Sequence, residues 1–151
     1  MNKDKEIYLQ SQNDTSHRTA KLELEEITYY LYLTKKDSKE IEKDALAFMI
    51  EKPPKEIDWD YLRKSKGAPY LSQKYETENT LLTGFDSTDF SMIWSDNGNS
   101  VALLYKSIAI AFIVEEEKIG FSKATKESSP IVHAWNENIF RKKFRYTTCS
   151  T

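Results

Sequence analysis

The 151-residue chain holds one cysteine, two histidines, four glycines and four prolines, and each scarcity removes a class of protein. With Cys149 alone no intramolecular disulfide can form, and a reducing compartment, the cytoplasm, is the expected setting. His17 and His133 lie within four residues of neither the cysteine nor each other, so zinc-ligand spacing is missing. Gly67, Gly84, Gly98 and Gly120 stand apart, and no phosphate-cradling loop can be assembled from sequence neighbours. The EF-hand, the dinucleotide fingerprint, the serine elbow and the metalloprotease helix are also absent. No catalytic residue, no metal and no cofactor is expected. The longest apolar run, residues 108–114, is too short to cross a bilayer, and the polar opening Met1 to Glu6 has no apolar core of a secretory signal. Cys149 stands third from the end, where prenylation needs the fourth. With 22 basic against 24 acidic residues the formal charge is −2, which leaves no field to gather nucleic acid; neither membrane nor nucleic acid is an expected partner.

What is present is aromatic mass. Nine Tyr, seven Phe and three Trp, each able to bury roughly 150–250 Å², compensate for a hydrophobic fraction of only 39%. The length suits one domain with one core. Residues 1–17 are polar apart from Ile7, Tyr8 and Leu9 and read as a flexible arm, with residues 18–151 as a single α+β domain. Over residues 19–36 the positions Ala20, Leu24, Ile27 and Leu31 fall at helical spacing, although Tyr29 to Leu33 has strand composition; helix is the expectation. A second helix follows a cap at Asp37 or Ser38, with Glu40 near its start and Ile41, Ala45, Phe48 and Met49 as its stripe, up to Pro53-Pro54. Ile57, Trp59, Tyr61 and Leu62 suggest a short third helix closed by Gly67.

From Asp89 the pattern changes. Two short apolar segments, at 90–94 and 101–105, flank Asp96-Asn97-Gly98-Asn99, the strongest turn signal in the chain, and predict a hairpin. Residues 108–114 make a β-rich run, and Ile119-Gly120-Phe121-Ser122 an edge-like fourth strand of an antiparallel meander. After Ser128-Ser129-Pro130, residues 133–146 read as a helix with Trp135, Ile139, Phe140 and Phe144 on one face and Asn136 as a cap. The expected architecture is α+β: N-terminal helices, a four-stranded antiparallel meander and a C-terminal helix packed on the sheet. No internal repeat is visible.

The segment Trp94-Ser95-Asp96-Asn97-Gly98-Asn99-Ser100-Val101-Ala102-Leu103-Leu104-Tyr105, the run Ile108-Ala109-Ile110-Ala111-Phe112-Ile113, the step Ile119-Gly120-Phe121-Ser122-Lys123 and the helix start Trp135-Asn136-Glu137 together resemble small bacterial immunity proteins encoded beside polymorphic toxins. The resemblance covers about the last 60 residues and carries no catalytic signature. It implies a non-enzymatic, protein-binding inhibitor that neutralises a cognate toxin by direct binding. The abundance of Trp and Tyr suits binding hot spots. Between residues 85 and 140 carboxylates outnumber lysines, and Asp86, Asp89, Asp96, Glu115, Glu116 and Glu117 are the candidate partner-binding residues, fitted to a basic toxin. The competing reading is a small enzyme with a pocket around His133 and Glu137. Against it, neither His17 nor His133 has a partner set visible in sequence.

Overall fold

A computed structural model describes residues 6–53, 55 and 71–144. Nine strands are present among them: β1 (Leu9–Gln12), β2 (Thr19–Glu25), β3 (Thr28–Thr34), β4 (Ile41–Met49), β5 (Phe90–Trp94), β6 (Val101–Tyr105), β7 (Ile108–Ile113), β8 (Phe121–Ser122) and β9 (His133–Ala134). One α-helix follows, α1 (Glu137–Lys143). The strands form a four-stranded sheet, β1-β2-β3-β4, and a five-stranded sheet, β5-β6-β7-β8-β9, antiparallel throughout except for the parallel β8–β9 pair.

The expectation of N-terminal helices is therefore wrong: residues 19–49 are three strands of a sheet, and the chain is mainly β. In β2 and β3 the deciding signal is alternation. Ala20 and Leu22, then Tyr29, Leu31 and Leu33, are buried in one core, while Lys21 and Glu23 between them stay partly exposed. In β4 alternation is hidden because residues 45–49 are all buried: Ala45, Ala47 and Phe48 belong to the core between the sheets, and Leu46 and Met49 to a cluster on the other face. A strand covered on both faces reads as a continuous apolar run, and here it imitates a helical stripe. A register shift between Tyr29 and Tyr30 disturbs the period further. Ser38, expected as a helix cap, instead accepts the Glu40 N–H at 2.9 Å within a loop. The segment read as a flexible arm carries β1, and Ile7 beside it is buried with its N–H donating to Tyr29 Oη at 2.9 Å. The helix expected around Ile57 to Leu62 lies outside the described residues.

In the second half the hairpin of β5 and β6 is present, and β7 and β8 continue it. The last helix is shorter than expected, and Asn136 caps it by accepting the Ile139 N–H at 3.0 Å. The central core draws on one face of each sheet, with Val101, Leu103, Ala111 and Ile113 meeting the residues of β2, β3 and β4. The opposite face of the second sheet packs on α1: Phe112 is fully buried, with the Phe121, Trp135, Phe140 and Phe144 rings 4.7–6.0 Å from it. The outer face of the first sheet, with Tyr30, Leu46 and Met49, is covered by Leu71, Ala124 and Val132.

That outer face also holds a carboxylate. Asp44 sits opposite Tyr32 in the β3–β4 register, and burial pushes its carboxyl above the ordinary range. Burial, and then the neighbouring acids, likewise push the Tyr30 and Tyr32 hydroxyls far up. Below the ordinary Asp range the carboxyl is protonated whether folded or unfolded. As pH rises the unfolded chain ionises first, so stability falls until the folded form also ionises, and the deficit then persists. Asp44→Asn should accordingly be more stable than the wild type at neutral pH and indistinguishable from it near about pH 3. Urea titrations at the two pH values check this; an equal or lower stability of the variant at neutral pH would contradict it.

Gly98 gives a second expectation. Its φ is +74°, and a Cβ there would run into the Asn13 side-chain amide and lie 2.9 Å from Ser16 Oγ. Gly98→Ala should cost at least about 1–2 kcal/mol for the left-handed backbone alone, seen as a fall of about 2–8 °C in Tm. An unchanged Tm would mean that this loop does not pack against residues 13–16.

Candidate functional site

In antiparallel meanders alternate connections emerge at the same end. The two-residue turns at 26–27 and 106–107 lie at one end of their sheets, and the longer links 13–18, 35–40, 95–100 and 114–120 at the other. Both Lys106 and Ser107 have positive φ, as tight two-residue turns require. The first three long links close in the same way, with the first N–H donating to the last C=O at 2.9 Å: Asn13 to Arg18, Lys35 to Glu40 and Ser95 to Ser100.

Side chains then join the long links of the two sheets into one surface. Arg18, only 15% exposed, donates through Nε to Asn99 Oδ1 at 2.8 Å and through Nη1 to the Thr34 carbonyl at 2.9 Å and Glu42 Oε1 at 2.5 Å. Its planar fork suits such convergent acceptors. Asn13 Oδ1 caps its own loop by accepting the Thr15 and Ser16 N–H groups. Lys43 Nζ donates to the Val114 and Glu115 carbonyls, and Asn97 Nδ2 to Glu115 Oε1 at 2.8 Å.

Links 13–18 and 35–40 are fastened by a His–Asp pair that sequence reasoning missed. His17 Nδ1 lies 2.9 Å from Asp37 Oδ1, and the Asp37 N–H donates to the His17 carbonyl at 2.8 Å. Both residues have positive φ, +62° and +51°, a conformation that His and Asp tolerate better than most residues. Nothing in sequence joins positions twenty apart when one is assigned to an arm and the other to a helix cap. The pair borders an open cleft of about 730 Å³ whose walls include Gln10, Gln12, Asp14, Thr19, Lys21 and Lys39. Its walls are polar and the His17 and Asp37 side chains are 59% and 74% exposed, which suits a polar partner surface better than an enclosed, water-excluding reaction site.

The six candidate acids divide between the two ends. Asp86 and Asp89 form a capping box before β5, at the short-turn end, where the Lys106 N–H donates to the Asp89 carbonyl. Asp96 and Glu115, Glu116 and Glu117 belong to the loop end. Glu115 and Glu116 tie the 114–120 link to α1, and Glu117 ties it to β9. Lys143 Nζ lies 2.7 Å from Glu116 Oε2 and 3.8 Å from Glu115 Oε1, and its hydrogen bond draws the Glu116 carboxyl below the usual range. Glu117 Oε1 is 3.3 Å from His133 Nε2.

His133 and Glu137 do not pair. The His133 ring lies against Phe121, while Glu137 accepts from Trp135 Nε1 at 2.8 Å and Arg141 Nε at 2.6 Å, which lowers its carboxyl below the usual range. Among the described residues, no group of three or more His, Cys, Asp or Glu side chains could hold a metal ion.

Reversing Glu115, Glu116 and Glu117 to Lys sets three cations beside Lys143 and His133. The triple variant should therefore lose stability, with a lower Tm, before any effect on a partner is considered; an unchanged Tm would mean that these ion pairs contribute nothing. No family model, curated protein or solved structure matches this chain.

Proposed function

We propose that this chain is a non-enzymatic inhibitor that binds a partner protein through its loop end, an immunity protein acting on a cognate toxin in the cytoplasm. The observation that carries the reading is the locking of links from both sheets by Arg18, behind an open polar cleft. Loops held on a rigid β frame are the usual place for recognition, because the frame bears the cost of ordering them. No helix among the described residues is long and apolar enough to cross a membrane.

Within this reading the docking charges are Asp14 and Asp96, exposed at the tips of links 13–18 and 95–100. Glu115, Glu116 and Glu117 set the local potential while the first two hold Lys143 of α1 and the third holds His133 of β9. Asp86 and Asp89 face the other end and take no part. Exposed rim charges act chiefly on encounter, so their effect belongs to the association rate and fades with salt.

The test is a salt series of association rates with the product of the toxin gene immediately upstream. The Asp14→Lys, Asp96→Lys double variant should associate several-fold more slowly at low salt and approach the wild-type rate at high salt. Asp86→Asn, which keeps a capping oxygen and removes a charge at the far end, should leave the rate unchanged. Equal rates for all three proteins would reject the loop end as the docking surface, and absence of binding would reject the immunity reading for that gene pair.

A further inference from the structure

The two lateral sides of the molecule differ. On one, β4 is joined to the link that leads into β8: the Gly120 N–H donates to the Asp44 carbonyl at 2.8 Å. On the other, β1 and β5 each pair with a single strand and lie near each other, with Trp94 Nε1 donating to Ser11 Oγ at 2.9 Å.

The direction of the free backbone groups on β5 follows from two bonds. Ser95 N–H donates to the Ser100 carbonyl, and Lys106 N–H to the Asp89 carbonyl. Antiparallel pairing alternates, so residues 89, 91, 93 and 95 point their N–H and C=O groups toward β6, and Phe90, Met92 and Trp94 point theirs away. The Phe90 N–H is used by the Ser87 carbonyl. Among the described residues, nothing bonds the Met92 and Trp94 N–H groups or the Phe90 and Met92 carbonyls. Natural edge strands are usually guarded by charge, proline or a bulge. β5 reads Phe-Ser-Met-Ile-Trp and pairs with β6 without a register shift, so it has none of these guards.

We propose that the β5 edge pairs with β5 of a second copy of this chain, antiparallel about a twofold axis through Met92. Centring the two strands on each other puts Met92, the middle of the five residues, on the axis and pairs β5 over its full length. Met92 then exchanges N–H and C=O with Met92 of the second copy, and each Trp94 N–H reaches the Phe90 carbonyl across the axis. The Phe90 N–H stays with the Ser87 carbonyl, so this pair makes one bond and the Trp94 carbonyl is left to water. Side chains agree with this register. Phe90, Met92 and Trp94 all face the central core, the last two half-buried, so pairing sets each Phe90 ring opposite a Trp94 indole and covers the open margin of both cores. A twofold axis brings like charges together, and a strand with no charge avoids that repulsion. The two loop ends then point in opposite directions, and both stay open.

The test needs only the purified chain. Sedimentation from about micromolar to about millimolar concentration should show a monomer–dimer equilibrium for the wild type. Met92→Pro removes an N–H that no bond within the chain uses, so it should fold and remain monomeric throughout. Ser91→Lys, at an exposed position beside the axis, should weaken dimerisation at least tenfold with an unchanged Tm. A wild type that stays monomeric at the highest concentration overturns the proposal, as does a folded Met92→Pro that dimerises like the wild type. Should Met92→Pro fail to fold, Ser91→Lys decides, and a wild-type dissociation constant for it overturns the proposal.

Discussion

The junction at Gly120 is the constraint on which the arrangement of the two sheets depends. Its N–H donates to the Asp44 carbonyl in the first sheet, and its carbonyl accepts the His133 N–H from β9 in the second. Such an approach leaves no room for a side chain: a Cβ on Gly120 would overlap Ala45 Cβ and the Phe112 carbonyl. Small residues at 45 and 120 thus let β4 lie against the β7–β8 link. Lys43 secures the same seam through the Val114 and Glu115 carbonyls. Once β4 is held there, its other face is available to Leu71, Ala124 and Val132, and the chain gains a layer that neither sheet would bury alone.

How much of this was legible in sequence depends on how many faces of each strand are covered. The β5–β6 hairpin announced itself through Asn97-Gly98, although only Gly98 takes the positive φ, and the link is longer than a two-residue turn. The capping role of Asn136 was also visible. The first sheet was not, because β4 is buried on both sides and β3 carries Tyr30 into a second cluster. Apolar residues therefore recur there at spacings that fit a helix as well as a strand. The tight turns gave no help: Glu26, Lys106 and Ser107 adopt positive φ without the glycine or asparagine that marks such turns.

The loop end was half legible. The acidic excess of the second half was read correctly as composition, but composition does not say which carboxylates are already occupied. Glu116 and Glu117 are held by Lys143 and His133, whereas Arg18, His17 and Asp37, which fasten the surface, stood in segments assigned to an arm and a helix. The rhythm of connections was hidden as well. Each sheet runs through a long link, a two-residue turn and another long link, at 13–18, 26–27 and 35–40 in the first and 95–100, 106–107 and 114–120 in the second. The sequences of the corresponding links differ almost throughout, since a loop closed by its own backbone bond constrains only the few residues with unusual φ.

These constraints divide the molecule by direction. Long links gather at one end because both sheets are meanders, and short turns gather at the other for the same reason. One lateral side is sewn by Gly120, and on the other β1 and β5 each pair with a single strand. On β1 the outward-pointing residues are Gln10 and Gln12, whose long amide side chains border the cleft and keep that edge hydrated. On β5 they are Phe90, Met92 and Trp94, which offer no polar side chain except the indole N–H already given to Ser11. Water can satisfy an exposed backbone edge, but it cannot cover the apolar margin beneath it. A second strand can do both, and that difference separates the two edges.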